Sequence, residues 1–158
     1  MPNSVSGCLN LIRDALQDMV NAQPKVGIRS VEISVGEGVT AVNIVSQKRQ
    51  PENVLRALAG CLNRGGGKQI WQVWQQIGSA KPQAVSPQDA PPLVFRLPEF
   101  GLTMPFQLGD FTQINLPLNE IMVARAVRYL DPQPHERIAD LFCGLGNFTL
   151  PLAKRAAE

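Results

Sequence analysis

Apolar residues first recur every three or four positions: Leu9, Ile12, Leu16, Met19 and Val20 fall on one side of a helix. Ser4 or Ser6 can cap it, and Gln23-Pro24 ends it. The period then drops to two. Val31, Ile33 and Val35 share one face, Gly36-Glu37-Gly38 turns the chain, and Val39 to Val45 return, which predicts a β-hairpin. Pro51 opens a second helix, where a missing amide costs nothing, with Val54, Leu55, Leu58 and Leu62 as its apolar stripe. Residues 68–77 alternate as a strand, which puts Trp71 and Trp74 on opposite faces: one for the core, the other available to stack on a nucleobase. The polar, proline-rich stretch 78–92 reads as a long hairpin loop or a linker, and Leu93–Leu97 and Leu102–Phe106 as two short strands. Helices and strands mixed without strict alternation predict a small α+β domain over residues 1–96.

The pattern changes near Asp110. Phe111-Thr112-Gln113-Ile114-Asn115 leads into a helix with Pro117 in its first turn and Val123, Ala126, Val127 and Leu130 on its apolar face. Arg137 to Phe142 is short and mostly apolar, as a parallel strand buried on both sides would be. Gly144-Leu145-Gly146 then turns the chain, and a helix follows from Asn147 with Leu150, Ala153 and Ala157 roughly on one side. Strand, glycine loop and helix predict that residues 97–158 begin an α/β, Rossmann-like domain without completing it by Glu158.

Composition narrows this little. A hydrophobic fraction of 44% and a charged fraction of 18% fit a folded globular chain. No apolar run approaches the roughly 18 residues of a membrane span, and the amino terminus has no secretory pattern. Cys8, Cys61 and Cys143 are widely spaced and odd in number, which argues against a disulfide framework and makes the cytoplasm the expected compartment. A net charge of +2 neither indicates nor excludes a nucleic-acid partner. Cys61 is expected in the core, His135 in solvent.

The glycine loop carries the chemistry. Glycines let a ligand approach the backbone, and the loop aims free amides at a negative group: a phosphate, a dinucleotide or the carboxylate of S-adenosylmethionine (AdoMet). The lysine and Ser/Thr ending of a P-loop is absent. Thr149 stands where a dinucleotide fold usually has glycine or alanine. Asp140 precedes the first glycine by four residues. A turn that merely needs glycine is the plain alternative.

The string from Asp140-Leu-Phe-Cys-Gly-Leu-Gly-Asn-Phe-Thr to Ala153, with Phe111-Thr-Gln-Ile-Asn115 before it, resembles the RNA uracil-5 methyltransferases. Within them it is most similar to the iron–sulfur enzymes that modify 23S ribosomal RNA, convincingly from Leu97 to Ala153 and more loosely before that. Cys8 and the Asn147-Phe-Thr-Leu-Pro run favour this branch over the transfer-RNA enzymes. The resemblance implies that Gln113 contacts AdoMet, that Phe142, Gly144, Gly146 and Asn147 form the loop around it, and that Asp140 supports that loop. It places Cys8 as the last of four cysteines of a [4Fe-4S] cluster whose other three lie upstream in the family, so Cys8 is expected here as a free thiol.

The same resemblance implies a mechanism. A cysteine thiolate adds to carbon 6 of a flipped-out uracil, carbon 5 takes the AdoMet methyl group, and a base removes the proton. The family places that cysteine and a catalytic glutamate well beyond the glycine loop, past the position of Glu158. No catalytic residue is therefore expected among these 158 residues, and they are expected to be inactive alone. The segment after Asp131 is then expected to dock on a second copy, to lie disordered, or to belong to a longer chain. A non-catalytic RNA-binding domain is the reading from a different class.

Overall fold

The computed structural model describes residues 3–22, 27–65 and 67–156. The chain divides into two compact units, residues 1–93 and 94–158. Together they contain both helices and sheet, as the mixed pattern of the sequence predicted.

The first unit holds α1 (Asn3–Ser6), α2 (Leu9–Ala22), β1 (Ile28–Val35), β2 (Val39–Ser46), α3 (Glu52–Gly65), β3 (Ile70–Ile77) and β4 (Gln83–Ser86). The strands form one sheet in the order β1-β2-β3-β4. β1 and β2 are the antiparallel hairpin the alternation predicted. β3 lies parallel to β2, so α3 is the crossover that a parallel pair requires.

Register explains the core. Val31 stands opposite Ile44 and Ile33 opposite Val42, while Val42 pairs with Val73 and Thr40 with Trp71. All these side chains therefore share one sheet face, and α2 and α3 cover it with Ile12, Met19, Leu55, Leu58 and Leu62. Each such apolar side chain contributes about 1.5–3 kcal/mol on burial. Two amides tie the layers together. Asn63 of α3 accepts from the Trp71 backbone N–H and donates to its carbonyl, both at 2.9 Å, which docks the helix on the start of β3. Gln75 accepts from the Gln50 amide at 2.7 Å and fixes the segment that leads into α3. On the other face Asn43 donates to Glu32 and Gln76, a polar row across three strands.

Several expectations need correction here. Residues 78–92 are not simply a loop or linker, because β4 pairs with β3 inside them. Four residues between Pro82 and Pro87 are too few to show a period, and an edge strand tolerates prolines at its ends. Cys61 is exposed: the α3 stripe is Leu55, Leu58, Ala59 and Leu62, and Cys61 falls beside it, accepting from Arg64 at 3.3 Å. Leu9 and Val20 lie at the exposed edges of α2, so Ile12 and Met19, with Leu16 partly buried beside them, make its contact with the core. Trp71 is fully buried and Trp74 half-buried on the opposite face, as alternation requires.

The second unit contains β5 (Leu93–Leu97), a 3-10 turn (Pro98–Phe100), β6 (Leu102–Phe106), α4 (Leu116–Leu130) and α5 (Thr149–Ala153). β5 and β6 pair as a small sheet and bring Phe95 and Phe106 to a ring separation of 6.2 Å. Asn115 caps α4 by accepting from the Leu118 amide at 3.2 Å, with Pro117 in the first turn. The helix ends where Asp131 turns left-handed at φ 41°. α4 buries Asn119, Val123, Ala124 and Val127, whereas Leu130, expected on that face, is exposed beside the terminating turn. α5 buries Pro151 and Leu152 in place of Leu150 and Ala153. Ala157, expected on the same side, and Glu158, past which the catalytic residues are expected, lie outside the described residues.

Residues 137–142 form no strand. A parallel strand needs a ladder, and no strand pairs with this segment among the described residues. Its apolar end is open to solvent, with Leu141 84% and Phe142 96% exposed.

Candidate functional site

The turn between residues 140 and 149 is built by local bonds. The Gly146 amide donates to the Cys143 carbonyl at 2.7 Å, and the Leu150 amide donates to the Gly146 carbonyl at 3.0 Å. Gly144 at φ 52° and Gly146 at φ 88° adopt the left-handed backbone that only glycine enters cheaply. A Cβ on Gly146 would also sit 3.1 Å from Cγ of Leu150. Among the described residues, no protein acceptor takes the backbone amides of Gly144, Leu145 or Asn147. They remain available to an anionic ligand.

Two side-chain devices hold the turn. Asp140 spans it: one carboxylate oxygen accepts from the Phe142 amide at 3.2 Å, the other from the Thr149 hydroxyl at 2.7 Å. Asn147 is tied to α4, where its amide and that of Asn119 exchange hydrogen bonds at 2.9 and 2.8 Å.

Beside the turn lies an open cleft of about 350 Å³, within the range that small ligands occupy. Gln113, Phe142, Gly144 and Asn147 line it, joined by Phe95, Phe111, Cys143 and Phe148. Four of the six predicted residues thus meet in one cleft. Gly146 shapes the turn behind it and Asp140 braces it. Gln113 is exposed, and its side chain bonds to no protein group among the described residues. The rings of Phe95, Phe111 and Phe148 and the amide of Asn119 were not singled out from the sequence. Phe148 carried a signal, since it follows the glycine turn directly; Asn119 looked like any polar helix residue.

The donors suit AdoMet: free amides for a carboxylate, ring faces for an adenine or a sulfonium, and an open side amide at Gln113. They do not suit an iron–sulfur cluster. Cys8 is a free cysteine, 1% exposed in the core of the first unit, and burial pushes its thiol pKa up, against the thiolate a cluster needs. Among the described residues no group of three or more His, Cys, Asp or Glu side chains could hold a metal ion. His135 and Cys143 are exposed. No helix among the described residues is long and apolar enough to cross a membrane.

No protein-family model matches the chain. Individual proteins do. The 23S rRNA (uracil(1939)-C(5))-methyltransferase RlmD of Neisseria lactamica is 45% identical over 161 residues, covering 100% of this chain and 34% of the relative. The proteins of the same name from Thiobacillus denitrificans and Chromobacterium violaceum are 41% and 35% identical, covering 98% and 99% of this chain. The chain spans about a third of the length of these relatives, 34% and 30% for the latter two.

Proposed function

The chain belongs to the RNA uracil-5 methyltransferase family, and from that premise we propose that its second unit supplies the cofactor-binding turn of an enzyme that methylates carbon 5 of uracil in 23S ribosomal RNA. The observation that carries the reading is the cleft in which Gln113, Phe142, Gly144 and Asn147 meet beside unclaimed backbone amides. When bound, AdoMet supplies a methyl group made electrophilic by its sulfonium. The chain's own residues bind and orient. The Gly144, Leu145 and Asn147 amides would take the methionine carboxylate, the Gln113 side-chain amide would offer a further polar contact, and Phe142 and Phe148 would supply apolar ring surface. Asp140 keeps the turn in register without touching the ligand.

Residues 97–158 in this reading form the opening of a Rossmann-like domain, and segment 137–142 becomes a strand only when neighbouring strands pair with it. The role proposed for these residues is to bind and orient the cofactor. The exposed Phe111, Ile114, Leu141 and Phe142 favour association with a second copy. The RNA partner proposed for the parent enzyme is 23S ribosomal RNA; a [4Fe-4S] cluster there would need further cysteines beside Cys8, and among the described residues none join it in a metal-binding group.

Calorimetric titration of the chain tests the reading. AdoMet and its demethylated product should each bind at one site, while NADH gives no heat. Heat from NADH but not from AdoMet would assign the turn to a dinucleotide instead.

A further inference from the structure

We propose that Asn119 is a positioning residue for the glycine turn: its buried side-chain amide, paired with that of Asn147, holds the turn in the shape that takes the cofactor. This rests on the reading of the cleft as an AdoMet site, and the test below separates the two.

Asn119 lies in α4 on the stripe continued by Val123 and Val127, and it is only 3% exposed. Packing alone does not call for an amide there. Asparagine is a poorer helix former than leucine or alanine by about half a kcal/mol, and an amide buried without partners costs about 1–3 kcal/mol. A leucine would fill the stripe without either cost. What the amide adds is a closed ring of two hydrogen bonds with Asn147, in which each side chain both donates and accepts. No apolar residue can make that ring, and serine or aspartate can make only part of it.

The turn needs such a hold. Its path passes through two left-handed glycines that have no side chains to anchor it, and Cys143 and Phe142 beside them are exposed. Asp140 and Thr149 brace it from within, but both belong to the turn itself. Asn119 supplies the tie to a fifteen-residue helix whose own path is fixed by Val123 and Val127. The tie acts at Asn147, one residue after Gly146 and next to the unclaimed amides. Held there, the amides stay preorganised, and the ligand does not pay to order them.

The test uses the full 158-residue chain with Asn119→Leu and Asn119→Ala, the second guarding against a packing clash in the first. Amide hydrogen exchange by NMR, without ligand, should show Gly146 and Leu150 exchanging at least ten-fold faster, while Val123 and Val127 keep their protection. The Asn147 side-chain amide resonances should shift toward those of a solvated asparagine. AdoMet affinity should fall about ten-fold, equivalent to about 1.4 kcal/mol. In the Asn147→Ala background, Asn119→Leu should add little, because the pair is already broken. Unchanged protection of Gly146 and Leu150, or full additivity in that cycle, would overturn the proposal. A wild-type chain that ignores AdoMet, while Gly146 still loosens in the variants, would instead sink the cofactor reading and leave Asn119 as the anchor of the turn.

Discussion

Gly146 concentrates two requirements in one residue. Its φ of 88° suits no L side chain, and a Cβ there would press on Leu150 at 3.1 Å. Gly146→Ala should therefore cost about 1–3 kcal/mol of local strain and lower AdoMet affinity at least ten-fold by calorimetry. Thr149→Val keeps the shape but removes the 2.7 Å bond to Asp140, and about a five-fold loss of affinity is expected. Cys8 gives a pH-dependent signature. Burial raises its folded pKa above the ordinary 9.0, so around and above that pH the folded state retains a proton that the unfolded state loses. Its contribution to stability is complete below about pH 9 and declines as pH rises further. Urea midpoints at pH 8 and pH 10 should show this decline in the wild type and less of it in Cys8→Ala. Alkylation of the native chain should reach Cys61 and Cys143 well before Cys8. The glycines could be named from the sequence because a turn between apolar segments advertises itself, whereas Gln113 and the role of Asp140 came only with the family resemblance. Asn119 and Asn63 could not, since an amide's partner 28 or 8 residues away leaves no local trace.

Among the elements, those with a clean period emerged with little error: the β1–β2 hairpin, α3 and α4. β4 was hidden because four residues between prolines carry no periodicity, and its pairing is decided by the neighbouring β3. Segment 137–142 failed for the opposite reason. Its apolar composition is that of a strand, but strandedness is a property of a ladder and not of a segment. The Asn63 tie gives a sharp test at this scale. Asn63→Ala leaves the Trp71 backbone amide and carbonyl without their α3 partner, and about 1–3 kcal/mol should be lost in urea unfolding. A loss below about half a kcal/mol would mean that the apolar layer alone docks α3. Leu55→Ala, at the centre of that layer, should cost about 2–5 kcal/mol.

Across the whole molecule, composition and charge said little, and the glycine turn with its flanking residues said most. The turn, its brace and its cleft lie within one unit, so the proposed cofactor site draws only on residues 94–158. The uncovered apolar residues of that unit should make association concentration-dependent in sedimentation, and Phe142→Ser together with Leu141→Ser should weaken it. The central claim, that the two-glycine turn grips AdoMet, is tested most directly by mapping backbone amide shifts of the labelled chain during AdoMet titration. Saturable shifts should centre on Gln113 and on Phe142 to Phe148 and leave the first unit's core unmoved. Shifts gathered elsewhere, or none at saturating cofactor, would contradict the account.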